Sequence, residues 1–446
     1  MLFVRHVRSL RRPLAFAALV AGAIFASRVV LFAHAMLLSS DPKPGSVIDR
    51  SPERVRLVFS EAIDAKVSGI RLVPPSRAQR DLAVSADPGD PSALVAPLAP
   101  LAAGKYRIVW RNVSADGHAM SGSFGFTVRG DTTTAPAAIV PLIPPILQVD
   151  TLPAVGPTRF PVTAALLRGL ALGCLMALAG ILFFSRRAVP SALASRVSVS
   201  LSAAAVVLFA AHLVAWISSA AADHGFDLSW GWSMLGTTPG HMELARLAAA
   251  VLALWALVLA RRTPLALLFA FVGLAISGAI GHPAAIHSLW TIPAKAMHLC
   301  AGATWLGGLL WLVLADHADV ERFVGEARRV SSVALVSVVL VVFSGVIQTC
   351  FFVATPVDLI RTTYGIIVLL KIAGVLILIA FGAHHRYRHL PNIATAAGGA
   401  RLRASVRYEI AVFALVTLLG GLLAYVPPRG SEIVAGNTPV SSTGRP

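Results

Sequence analysis

Acidic residues are scarce: 21 Asp and Glu stand against 38 Lys and Arg in 446 residues, a formal net charge of +17. Charged residues of either sign make up only 13% of the chain, while hydrophobic ones reach 56%. Soluble chains carry about 25% charge, so this composition excludes an ordinary globular protein and sets an integral membrane protein as the class. The positive balance does not make a nucleic-acid binder. The arginines concentrate in short segments between apolar runs, which is a topology signal and not a phosphate-binding stripe. Cysteine is almost lacking too. Cys174, Cys300 and Cys350 all fall in apolar runs, so no disulfide framework holds the N-terminal part together. No phosphate loop, nucleotide motif or catalytic triad is present, which leaves ATP-driven pumping unsupported and points away from an enzyme.

What is present begins with a targeting pattern over residues 1–33. Arg5, Arg8, Arg11 and Arg12 precede the apolar run Leu14 to Ala26, followed by small residues suited to signal cleavage. Cuts after Ala26, Ala33 or Ala35 each fit, as does an uncleaved anchor; only the cut after Ala33 leaves His34 with a free amine.

Residues 34–129 predict a small β domain, a sandwich or barrel. Arg54 to Phe59, Lys105 to Trp110 and Ser121 to Val128 alternate polar and apolar residues, as half-buried strands do. Turn signals separate them at Asp41–Gly45, Pro74-Pro75, Asp87–Pro91 and Ala103-Gly104. Phe59, Trp110, Phe124 and Phe126 are the candidate core. Between two of these strands stands Val113-Ser114-Ala115-Asp116-Gly117-His118. A carboxylate and an imidazole two residues apart converge on a metal, and an N-terminal His34 adds a second imidazole and an amine. Four N and O donors suit a tetragonal Cu(II) centre. Glu61 is a further ligand or the group that orients one. Binding through the amine requires its deprotonation, so affinity is expected to fall below its reference pKa of about 8. The Asp-x-His triplet taken alone equally fits a turn cap or a salt bridge.

Residues 130–158 read as a proline-rich linker, either extended at roughly 3 Å per residue or resting on the bilayer through its apolar stretch Ile139 to Val149. Residues 159–428 predict an all-α polytopic bundle of about eight spans, at Phe160–Ser185, Val197–Ser218, Met242–Ala260, Leu265–Gly281, Pro293–Ala315, Val330–Ala354, Tyr364–His384 and Glu409–Val426. Residues 429–446 read as a flexible tail. Arginines follow the first, third, fifth and seventh spans, while the alternate loops carry little beyond Arg361. The positive-inside rule then puts both ends of this region, and the β domain, outside a bacterial inner membrane. On that topology His212, His241, His282, His298, Met297 and Cys300 gather toward the outer side, a donor set that suits Cu(I). Lys371 lies mid-span, where an ionisable group is costly and marks either a structural ion pair or the transport pathway.

The residues resemble a known family. His34-Ala35, Ser39-Ser40-Asp41-Pro42, Phe59-Ser60-Glu61, Trp110-Arg111, Val113 to His118 and Ser121-Gly122-Ser123 are similar to the copper-resistance CopC family. Met297-His298, Trp305-Leu306-Gly307-Gly308, Thr363-Tyr364-Gly365 before Lys371 and the Glu409 span resemble its partner family, CopD. The resemblance implies a natural fusion: a periplasmic cupredoxin-like domain holding Cu(II) on a histidine brace of His34, Asp116 and His118 with Glu61 close by. It also implies a membrane bundle that moves copper, mostly inward. Two departures stand out. Val67 to Asp87 contains neither Met nor His, so the Cu(I) loop of some relatives has no counterpart, and Met36 stands where many carry a further histidine. The expected function is copper uptake, homeostasis or resistance, with copper ions, the lipid bilayer and periplasmic copper chaperones as partners and no nucleic acid. The alternatives are a haem-ligating electron-transfer protein using the span histidines and a membrane-anchored chaperone or sensor without transport.

Overall fold

A computed structural model describes residues 37–59, 62–76, 78–114, 119–129, 161–186, 191–222, 228–282, 289–314, 319–353 and 355–426. These fall into two compact units, one holding the strands and one the long helices.

The strand unit is a sandwich of two sheets. One runs β1 (Leu37–Asp41), β3 (Arg54–Phe59), β7 (Asp90–Pro97) and β6 (Ser85–Asp87); the other runs β2 (Val47–Ile48), β9 (Ala119–Val128), β8 (Gly104–Val113), β4 (Gly69–Val73) and β5 (Arg80–Leu82). All pairs are antiparallel except β2 with β9. The alternation read in the sequence is the burial pattern: Val55, Leu57 and Phe59 of β3 point inward, as do Tyr106, Ile108 and Trp110 of β8. Phe59 meets Trp110 edge-on with ring centroids 5.1 Å apart, Phe126 is buried, and Phe124 is partly buried against the same core. β7 begins inside the stretch that reads as a turn. Its Pro91 and the adjacent buried pair Ala93-Leu94 break the two-residue period that marks a strand. Arg56 ties that hairpin to β3, at 2.8 Å from Asp87 and 3.1 Å from Asp90. The Arg56 hydrogen bond holds the Asp87 carboxyl below its ordinary range. The small stabilisation it gives is therefore present above pH about 4 and lost as pH falls through the lowered value.

The helical unit contains eight long apolar helices among the described residues: α1 (Val162–Ser185), α2 (Ala192–Ala222), α3 (Thr238–Val258), α4 (Thr263–Gly278), α5 (Thr291–Leu314), α6 (Val320–Phe352), α7 (Thr363–His384) and α8 (Ala396–Leu423). Seven are long and apolar enough to cross a membrane. The other, α4, has 16 residues, about 24 Å at 1.5 Å per residue, short of the ~30 Å hydrocarbon core. Large apolar side chains such as Val339, Phe343 and Val346 of α6 and Leu376 and Ile377 of α7 face outward, as lipid-exposed helices require. All eight expected spans have a helix, but α6 and α8 begin ten or more residues earlier than expected. Asp319 and Thr395 cap their first turns by accepting from the Arg322 and Gly398 amides. Arginine is a good helix former, so Arg322, Arg328 and Arg329, and Arg401, Arg403 and Arg407, continue the helices instead of forming loops. Glu409 accordingly sits in the middle of α8, not at its start. The leader at residues 1–33, the linker at 130–158 and the tail lie outside the described residues.

Candidate metal centre

His34, Glu61, Asp116 and His118 all lie outside the described residues, but their flanks are on view. Leu37 pairs with Phe59 across β1 and β3. Four residues past Phe59, Ile63 bridges Ser114, and the Asp64 amide donates to the Val113 carbonyl at 2.8 Å. Ser68 fastens the same corner: its hydroxyl donates to the Asp64 carbonyl at 2.7 Å and accepts from the Val113 amide at 3.2 Å. Val113 in turn pairs with Ala119 across the β8–β9 hairpin. The register thus gathers at one end of the sandwich the chain before Leu37, the step after Phe59 and the two ends of segment 115–118. His34 is three residues from Leu37, Glu61 two from Phe59, Asp116 two from Ser114 and His118 next to Ala119.

In the helical unit, ionisable side chains collect among the ends of α1, α2, α3, α5 and α8 that share one side. His212 is fully engaged: Nε2 is 2.7 Å from the Tyr425 hydroxyl, and Nδ1 is 3.3 Å from Arg246 Nη2 and 3.5 Å from Glu243 Oε2. Arg246 also donates to Glu243 and lies over the Phe209 ring at 4.3 Å. Arg168 and Lys295 converge on one acceptor, the Ile280 carbonyl just past the end of α4, at 3.3 and 2.6 Å. His282 is buried, with Nε2 2.8 Å from the Val426 carbonyl. Lys371 of α7 reaches toward Gly420 of α8 and feels Lys295 and His298 electrostatically. Among the described residues, four basic side chains therefore share this interior with one carboxylate, Glu243. Such a place repels a bare cation.

His298 lies at the edge of that network, on the α5–α6 seam. Its Nδ1 is 3.0 Å from the Ser344 hydroxyl and 3.1 Å from the Val341 carbonyl. Further along the seam Thr304 meets Ser337 at 2.7 Å, and the Trp305 indole donates to Glu409 at 3.3 Å. Glu409 then contacts His385 Nδ1 at 3.0 Å, whose Nε2 is 2.7 Å from the Ser405 hydroxyl. Met297 and Cys300 flank His298 half-buried, Cys300 packed on the apolar core, while His241 is exposed in the first turn of α3. The outer donors are not brought to one point: among the described residues no three His, Cys, Asp or Glu side chains are placed to hold one metal ion. The Glu409–His385 pair was not among the expected site residues. Its signal in the sequence is a carboxylate inside an apolar run, where an ionisable group is costly.

Comparison with known proteins bears on both units. Residues 37–129 match the family model of the CopC domain, and residues 324–423 match that of Copper resistance protein D. Copper resistance protein C of Escherichia coli is 36% identical over 121 residues, covering 25% of this chain and 95% of that protein. The chain belongs to the CopC family, fused to a CopD domain. Copper resistance protein C of Pseudomonas syringae pv. tomato is 39% identical over 104 residues, 22% of this chain and 82% of that one. Among solved structures, PcoC, titled a methionine-rich copper resistance protein from Escherichia coli, is 39% identical and aligns over 22% of this chain and all of that one, with a TM-score of 0.20. The CopC match spans all nine strands. The CopD match takes in most of α6 and all of α7 and α8, and with them Lys371, His385 and Glu409, but not His212, Glu243 or His298.

Proposed function

We propose that the CopC domain captures Cu(II) and passes copper to the helical bundle, which carries it across a bacterial inner membrane for uptake and homeostasis. The observation that supports capture most strongly is the strand register that gathers the flanks of His34, Glu61, Asp116 and His118 at one corner. The first three N and O ligands are His34, with its terminal amine, Asp116 and His118; Glu61 orients them or joins them. The donor chemistry suits Cu(II). Arginines at the ends of α1, α3, α5 and α7 that meet the following helices favour those ends facing the cytoplasm, which leaves the CopC domain outside.

Inside the bundle the α5–α6 seam is the favoured route. It offers polar side chains at His298, Thr304 and Ser337 and continues to Glu409 and His385, while the Arg168–Arg246–Lys295 group beside it repels cations. Copper is cargo here, and no chemical step on it is assigned to the chain. The test has two arms. His118→Ala is expected to abolish the Cu(II) paramagnetic resonance signature of the purified protein; a spectrum like that of the unaltered chain removes this residue from the centre. His298→Ala is expected to lower copper accumulation in cells by tenfold or more without changing that signature. Unchanged accumulation would favour an anchored chaperone over a transporter.

A further inference from the structure

The end of α7 departs from ordinary winding. Residues His385–His389 form a π-turn that continues the helix. The departure decides which side chains meet. At 3.6 residues per turn His384 and His389 would point about 140° apart. A widened turn brings residues five apart over one another, and such turns recur at functional sites. Here the His384 and His389 rings lie 4.8 Å apart between centroids, and the His385 ring is 5.7 Å from that of His389. His385 is buried and braced by Glu409, itself 1% exposed. An imidazole backed by a carboxylate on its far nitrogen is how proteins orient a metal ligand. The same turn closes one side of a cavity of about 180 Å³ whose lining includes Trp305, Ser331, His385 and Glu409.

We propose that this turn is a Cu(I) site at the inner end of the bundle, where copper is held before it leaves. His384 and His389 supply the two imidazoles, and His385, held between Glu409 and Ser405, fixes the turn that brings them together. Imidazole is a fitting copper donor. The surroundings favour a monovalent ion held loosely. Arg386, Arg388 and Arg401 flank the turn, and their repulsion of a divalent ion is twice that of a monovalent one. Glu409 is the carboxylate that offsets them. The site rests on the copper reading above, of which it is the exit step.

The test uses the full chain in lipid nanodiscs, titrated anaerobically with Cu(I) against bicinchoninate. His384→Ala/His389→Ala is expected to lose one equivalent of Cu(I), together with the imidazole scattering in the copper X-ray absorption spectrum. Glu409→Gln is expected to keep the equivalent but weaken it about 10–100-fold, as loss of an orienting partner does. His384→Asn/His389→Asn serves if the alanine pair does not fold. Unchanged stoichiometry and affinity in the double variant overturn the site, as does an unaltered chain that takes up no Cu(I). The Cu(II) resonance of the CopC domain, recorded on the same preparation, separates the two ideas. If it is present while the Cu(I) count is unmoved, only the exit site fails; if the unaltered chain lacks it, capture fails.

Discussion

Gly180→Ala is expected to keep the helical unit from assembling, and Gly307→Ala to do the same from the other side. The two glycines face each other where α1 crosses α5, backbone against backbone. A Cβ on Gly180 would fall on the Ala303 carbonyl oxygen and within 2.8 Å of the Gly307 amide nitrogen; one on Gly307 would fall on the Gly180 backbone. Small residues at helix crossings let backbones approach closely, which is the main source of association where lipid removes the hydrophobic drive. Overfilling a packed interior costs about 1–3 kcal/mol when side chains can yield. Here the obstacle is main chain on both sides, so the helices must separate and the loss should exceed that range. α1 is also the most buried of the spans, so the separation spreads through the core. The measurement is the fraction of detergent-solubilised protein that elutes as a sharp peak after heating. Gly325→Ala is the control: nothing lies within 4 Å of its added Cβ, and alanine favours the helix by roughly 0.5–1 kcal/mol. Equal thermal profiles for the two substitutions would refute the close-packed crossing.

Gly307 shows both how far the sequence can be read and where it stops. Its motif, Trp305 to Gly308, is visible as a resemblance, but the need for a residue without a side chain appears only with Gly180 across from it, 127 positions away. Long apolar runs announce their helices because any span must exclude charge for about 20 residues. They do not announce where the helices start, since arginine extends a helix into water as readily as it ends a span. Alternation announces β3, β8 and β9, which each bury one face, and misses β7, where Pro91 and two successive buried residues disturb the period. For the CopC domain the sequence offers donor types and spacings at His34, Glu61, Asp116 and His118, which lie outside the described residues. The bundle's polar interior was not legible, because pairings such as His212 with Tyr425, or His385 with Glu409, join residues far apart in sequence and leave no local pattern. The edge-on meeting of His384 and His389 was hidden for another reason: it depends on a change of helical winding that composition does not betray.

The second large effect is expected at Glu243. This carboxylate is 5% exposed beside an Arg246 that is fully buried, and Arg168, Lys295 and Lys371 add three more basic groups to the same interior. Breaking a buried pair by removing one partner costs about 3–5 kcal/mol, because a charge is left without its counterion. The two partners are not equivalent here. Glu243→Gln raises the local charge by one, whereas Arg246→Met lowers it by one and leaves Glu243 within electrostatic reach of Arg168 and His212. Glu243→Gln should therefore fall at or above the upper end of that range, and Arg246→Met should cost clearly less, mainly its packing on Phe209. Combining them restores the original net charge, so the second substitution should rescue the first, a sign of coupling that a double-mutant cycle reads directly. Thermal unfolding of the four proteins in detergent measures it. If Glu243→Gln lies within about 1 kcal/mol of the unaltered chain, or if Arg246→Met worsens it, the excess of buried positive charge does not govern this end of the bundle, and with it goes the reason for routing copper along the α5–α6 seam.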